Sequence, residues 1–193
     1  MNVDRVHTVA YGFGMTDRLT PEVWIEAGFR ALADIGPQAV KAEPLARALG
    51  ATKGSFYWHF KDVKTFHAEM LALWEARALT DIVETLDQLQ TPEERLRALA
   101  VTASAPAPER FGGTTIEPAI RAWALQNPLI ARGVAQVDAG RLAYTEQLLD
   151  LCNKPRAFGL VIYGAYVGLD DLQARGETKT PAALSLLIET ILA

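Results

Sequence analysis

The sequence predicts an all-α chain, with an N-terminal three-helix helix-turn-helix unit followed by a larger helical body. Three observations lead there. Capping-type residues precede proline at Thr20-Pro21, Thr91-Pro92, Asn127-Pro128 and Thr180-Pro181, which is the chemistry of a helix start. Apolar residues recur at spacings of three and four along most of the chain. No stretch alternates convincingly with period two, so no strand pair can be assembled.

Taken in order, residues 1–14 fit no helix and read as a tail, with a DNA-reaching arm as the less favoured alternative; Arg5 is their only full positive charge. A first helix is predicted over 21–35. Its polar side carries Glu22, Glu26, Arg30 and Asp34, and its apolar side Trp24, Ile25, Ala27, Gly28, Ala31, Leu32 and Ile35. A short second helix ends at Gly50, where the backbone needs positive φ. Thr52 then caps a third, Lys53 to His59. Asp62 caps a long fourth helix over 63–89. Thr91 and Glu94 form a capping box that opens a helix to about 104. Residues 105–115, APAPERFGGTT, are a loop. Helices follow at 117–125, 128–151, 155–174 and 181–192.

The third helix is too polar and too aromatic for an ordinary core helix. It carries Lys53, Ser55, Tyr57, Trp58 and His59, donors and flat rings in place of aliphatic filler. In a helix-turn-helix, such a second helix lies in the major groove of DNA. The spacing Ala46, Gly50, then Gly54-Ser55-Phe56-Tyr57-Trp58-His59-Phe60 resembles the DNA-binding signature of the TetR family of transcriptional regulators. The resemblance runs from about Thr20 to Phe66. A looser likeness continues through Arg121-Ala122-Trp123-Ala124 and Asn127-Pro128. It implies a tail at 1–19, a DNA-binding domain at 20–66 and a regulatory and dimerisation domain at 67–193.

Phosphate contacts fix such a protein on the duplex, and base-edge contacts choose sequence. The resemblance implies backbone contacts from Tyr57 and His59. Thr52 can offer its hydroxyl to a phosphate, while Lys53 and Ser55 lie at the helix end that enters the groove. Lys53 can reach guanine, and Trp58 either packs on a thymine methyl or sugar or is a plain surface aromatic. Phe56 and Phe60 are expected in the core. Two positions depart from the family pattern. Val63 stands where a lysine is frequent, with the charge at Lys61 and Lys64 instead; Lys41 stands where a serine or threonine often caps the second helix.

The charge distribution agrees. The chain is acidic overall, net −4, yet residues 41–64 hold five basic against two acidic groups, and residues 66–193 hold eleven against sixteen. The partner implied is double-stranded DNA with a palindromic operator, read by a homodimer with half-sites about 34–36 Å apart.

In the body, Ala157, Val161, Gly164 and Gly168 form a stripe of small residues that admits another helix, and Leu184, Leu187, Ile188 and Ile191 form a second face. Both are expected at a dimer interface; the alternative is that they fill the protomer's own core. The opposite side, with Phe158, Ile162 and Tyr166, joins Met70, Trp74 and Trp123 as candidate walls of an apolar pocket for a small-molecule effector, with a plain helical core as the commoner alternative. Arg141 interrupts the apolar stripe Ile130, Val134, Val137, Tyr144, Leu148 and Leu151. A buried arginine wants an anion: a structural carboxylate such as Glu117 or Asp138, or an acidic ligand. Glu117 and Arg121 are a pair four apart.

Little points to catalysis. His7, His59 and His67 show no metal-site grouping, the lone Cys152 has no histidine near it in sequence, and Gly12-Phe13-Gly14 lacks a phosphate-loop context. No cofactor is expected. One cysteine allows no internal disulfide and suits a reducing cytoplasm. The longest apolar run, Ala157 to Leu169, has 13 residues, short of the about 20 that span a bilayer. The leading expectation is a cytoplasmic repressor released by an effector. A helical ligand-binding or adaptor protein without DNA binding, or a small helical enzyme, stands as the alternative.

Overall fold

The structure, a computed structural model, describes residues 19–193. The expectations for residues 1–14 lie outside the described residues. The elements are α1 (Pro21–Asp34), α2 (Ala42–Ala48), α3 (Lys53–His59), α4 (Val63–Glu75), a π-helical segment (Ala76–Thr80), α5 (Asp81–Leu86), α6 (Pro92–Ala103), α7 (Ile116–Ala124), α8 (Pro128–Leu151), α9 (Ala157–Ala174) and α10 (Thr180–Leu192). Short 3₁₀ turns precede α2 and α7. No strand occurs among the described residues. The fold is all-α, as the periodicity requires.

Local chemistry starts most of these helices. The side chains of Thr52, Asp62 and Asn127 accept backbone N–H bonds from the first turns of α3, α4 and α8, and Thr91 and Glu94 close the capping box of α6. Two expected caps are absent. Thr20 has the extended backbone of a cap but no side-chain bond. Thr180 lies inside α10, buried, and its hydroxyl donates to Gln173 on α9. A tertiary partner took that hydroxyl from the helix end.

Apolar side chains form two clusters. The first joins α1, α2 and α3 to α4, α7 and the first half of α8. The second joins α6, the second half of α8, α9 and α10. Side chains of α4 pack directly onto α1 at Gly28, where an added Cβ would meet Met70 Sδ at 2.7 Å and Phe66 Cζ at 2.8 Å. The packing of the first three helices therefore runs without a gap into α4 and α7.

Candidate nucleic-acid interface and ligand cavity

A seven-residue helix is marginal in water by itself. What holds α3 is an aromatic cluster beneath it. Phe56 meets Trp24 edge-on at 5.4 Å, and Phe60 and Phe66 meet at 4.9 Å. Phe56, Phe60 and Trp24 are sealed from solvent. Such pairs add about 0.5–1.5 kcal/mol each beyond burial. With one face anchored, the other must point outward. Trp58 is 82% exposed and Tyr57 45%; Lys53 is exposed, while Ser55 and His59 are half-buried.

The turn into α3 is built by Gly50 at φ +63°, with the Ala51 N–H donating to the Ala46 carbonyl at 2.8 Å, a Schellman-type ending. Thr52 Oγ1 accepts from the Ser55 N–H at 3.1 Å. Lys41, Lys61 and Lys64 are exposed around α3. Among the described residues, none of these lysines, nor Lys53, is paired with a carboxylate. The Asp62 carboxylate between Lys61 and Lys64 is spent on the Thr65 N–H at 2.7 Å. Of the nine side chains expected to touch DNA, seven are exposed and Ser55 and His59 are half-buried, and four are cations with no carboxylate partner among the described residues.

His67 joins this unit to the body. Its Nε2 lies 2.8 Å from the Val40 carbonyl ahead of α2, and its ring stands edge-on to Trp123 at 4.7 Å. Burial lowers its pKa, opposed by the bond to Val40, so the neutral ring with Nε2–H is favoured.

The body holds a cavity of about 290 Å3 that is partly open to solvent. Its wall includes Trp74, Ile162, Tyr166 and Arg141, four of the seven residues expected there. Met70, Trp123 and Phe158 do not line it. Met70 and Trp123 are buried in the cluster under α1, and Phe158 packs on the second cluster. Sequence periodicity shows which face is apolar; it does not show whether the space opposite is filled. Phe29, Phe111, Tyr163 and Asp170 line the cavity without having been singled out. For Asp170 a signal existed: it continues the fourfold face of Ile162 and Tyr166 as a carboxylate.

A polar network crosses one wall. Glu117 accepts from Arg141, from Trp74 Nε1 at 3.1 Å and from Arg121 at 3.4 Å. Arg141 also donates to the Ala78 carbonyl in the π-helical segment at 2.9 Å and to Tyr166 Oη at 3.2 Å. The partner of Arg141 is therefore the structural carboxylate Glu117. Arg121 turns chiefly to Asp138, with bonds at 2.8 and 3.0 Å, and Tyr163 donates to the same carboxylate. The Glu117–Arg121 contact is real but secondary.

The expected dimer residues divide. Leu184, Ile188 and Ile191 are buried in the protomer and Leu187 is half-buried against the second cluster; Leu184 and Ile188 face the cavity. That stripe of α10 serves the protomer's own core. Ala157, Val161, Gly164 and Gly168 are exposed on α9, where added Cβ atoms at Gly164 and Gly168 would meet nothing. Leu160, Leu172 and, on α10, Leu186 are exposed too. Among the described residues, no three His, Cys, Asp or Glu converge as a metal site. No described helix is long and apolar enough to cross a membrane.

Residues 25–63 match the sequence model of the bacterial regulatory proteins of the tetR family. No curated protein is similar enough in sequence to match. Solved structures share the fold over nearly the whole chain. A TetR-family transcriptional regulator from Rhodococcus sp. is 17% identical, with a TM-score of 0.75 over 90% of this chain and 98% of that one. A transcriptional regulator from Saccharomonospora viridis, solved with choline, is 15% identical with a TM-score of 0.72 over 88% and 93%. FadR from Bacillus subtilis, solved with stearoyl-CoA, is 12% identical with a TM-score of 0.63 over 89% and 97%.

Proposed function

We propose, from the match of residues 25–63 to the tetR-family model and the shared fold, that the chain is a TetR-family homodimeric repressor released from a palindromic operator by a small molecule held in the body cavity. The observation that carries this reading is the outward face of α3, where Lys53, Tyr57 and Trp58 stand exposed above a sealed aromatic cluster. Helices of this kind enter the major groove by their N-terminal residues. Lys53 is the candidate for guanine recognition; Tyr57, His59, Lys41, Lys61 and Lys64 supply backbone contacts. The exposed α9 stripe, extended by Leu160 and by Leu186 of α10, supports the pairing of two protomers.

Coupling between cavity and DNA has a physical route. Phe29 belongs to α1 and also lines the cavity, where it meets Phe111 edge-on at 5.9 Å. Trp74 lies on α4, which runs from the cavity to the third-helix cluster through Phe66. A ligand that shifts Phe29 or Trp74 moves α1 and α4 and, with them, the spacing of the two recognition helices. Operator affinity falls by the coupling free energy, and the operator weakens ligand binding equally.

Gel-shift titrations at two salt concentrations test the DNA side. Lys53→Ala and Tyr57→Ala are expected to weaken operator binding by about 1–3 kcal/mol each, Lys53→Ala with relaxed choice at one base pair. Lys61→Ala is expected to weaken all sequences alike and reduce the salt slope by about 1. Unchanged affinity in all three variants overturns the reading and leaves the adaptor alternative.

A further inference from the structure

The charge class of the cavity's ligand can be read from which polar groups are already spent. Glu117 takes three donors and Asp138 takes Arg121 and Tyr163. Gln173 is committed at both ends, donating to the Ser104 carbonyl and accepting from Thr180. Tyr144 donates to Asp87, and Thr145 to the Arg141 carbonyl. The arginines facing the network are bound to these same groups.

Asp170 stands apart. It lines the cavity one helical turn beyond Tyr166, and among the described residues its carboxylate has neither a hydrogen bond nor an ion pair. A carboxylate that is partly desolvated and uncompensated costs free energy. The cost is visible in its acidity: burial first, then the Glu117 charge, pushes its pKa up to about 6 against the pull of Arg141 and Arg121. Arg77, the lining cation with no carboxylate partner among the described residues, already lies over the Phe111 ring at 4.1 Å. The Tyr163 ring lies on the same helix as Asp170, and aromatic faces favour positive charge, while the Tyr166 ring is already covered by the Arg141 guanidinium at 5.2 Å. The rest of the wall is largely apolar, built from side chains such as Ile82, Leu99 and Ile162. At about 290 Å3 the space sits at the small end of the about 300–1,000 Å3 typical of ligand sites.

We infer that the effector is a small amphiphilic amine or quaternary ammonium compound, its cationic nitrogen seated at Asp170 and its apolar part packed toward α5 and α6. The inference rests on the cavity being the effector site. A bound cation would supply the counter-charge that Asp170 lacks, whereas an anion would meet the uncompensated Asp170 with Arg141 already bound to Glu117.

Calorimetric titration of the full chain at pH 7.5 with octyltrimethylammonium, 1-octanol and octanoate tests it. These probes share a chain length and differ in charge. The cation is expected to bind roughly tenfold tighter than octanol, with octanoate weakest. Asp170→Asn is expected to lose that advantage and keep octanol binding, and Asp170→Glu to retain the preference for the cation. Octanol or octanoate binding as tightly as the cation, or an Asp170→Asn protein that keeps the cation preference, overturns the assignment and leaves the cavity as an effector site. Binding of none of the three probes overturns the cavity reading as well. The wild-type ranking decides even if a variant fails to fold.

Discussion

His67 is a single side chain with two structural duties, holding the Val40 carbonyl and packing on Trp123. Its lowered pKa gives stability a pH dependence. As pH drops through about 6.5, the unfolded chain takes up a proton that the folded ring resists, so the fold loses stability until the lowered folded value is reached. Asp170 acts in the opposite sense. Its folded carboxyl takes a proton near pH 6, before the unfolded chain does, so acidification relieves a penalty. His67→Gln keeps a donor for Val40 and removes the titration. Thermal melts at pH 7.5 and 5.5 are expected to show a smaller acid-induced loss in the variant than in the wild type; equal losses would mean that the ring is protonated without cost. The Arg141–Glu117 pair is of another kind: both groups are largely buried, and removing one partner of such a pair costs about 3–5 kcal/mol.

Among the elements, the α2–α3 turn carries the clearest local determinant. Gly50 sits at φ +63° with open space around it, so a side chain there pays only the backbone cost. Gly50→Ala is expected to lower unfolding free energy by about 1 kcal/mol without changing operator affinity beyond that effect, as read by urea titration and gel shift together. A loss of DNA binding in folded protein would show that the turn itself touches the duplex. Elements such as α3, α6 and α8 were legible in the sequence because their starts are written in three or four consecutive residues, as at Thr91 and Glu94. The fourth helix was legible in its start at Asp62 but not in its interruption by the π-helical segment at Ala76–Thr80, where Arg141, far along the chain, donates to the Ala78 carbonyl. The apolar stripe of α10 was legible as a packing face. What it packs on was not, because an inward and an outward stripe have the same period. Leu184 and Ile188 proved inward; Val161 and Gly164 on α9 proved outward.

For the whole molecule, the question is what buries the outward face of α9. Leu160 is 66% exposed and Leu186 68%, on neighbouring helices. On the proposed reading this face is the association surface, and a two-fold pairing would place the same residues against themselves. Val161→Glu puts a charge into that face without touching the protomer's core. It is expected to convert a dimer in sedimentation velocity to a monomer that keeps its helical content and loses operator binding. A variant that stays dimeric would move the interface elsewhere. Four residues of the cavity wall, Trp74, Arg141, Ile162 and Tyr166, were foreseen from their place on apolar helix faces. Phe29 and Phe111 were not, because they come from segments that only the folded chain brings beside α9.

The shared position of Phe29 has a bearing on engineering. Its ring belongs to the N-terminal helical unit by sequence and to the cavity wall by location. A chimaera that transplants residues 20–66 onto a foreign sensor would carry away one brick of the chamber and leave a hole behind. On the proposed reading, such a graft would have to restore the Phe29–Phe111 seam to transmit a signal, and changing the size of either ring would alter how strongly ligand and operator oppose one another.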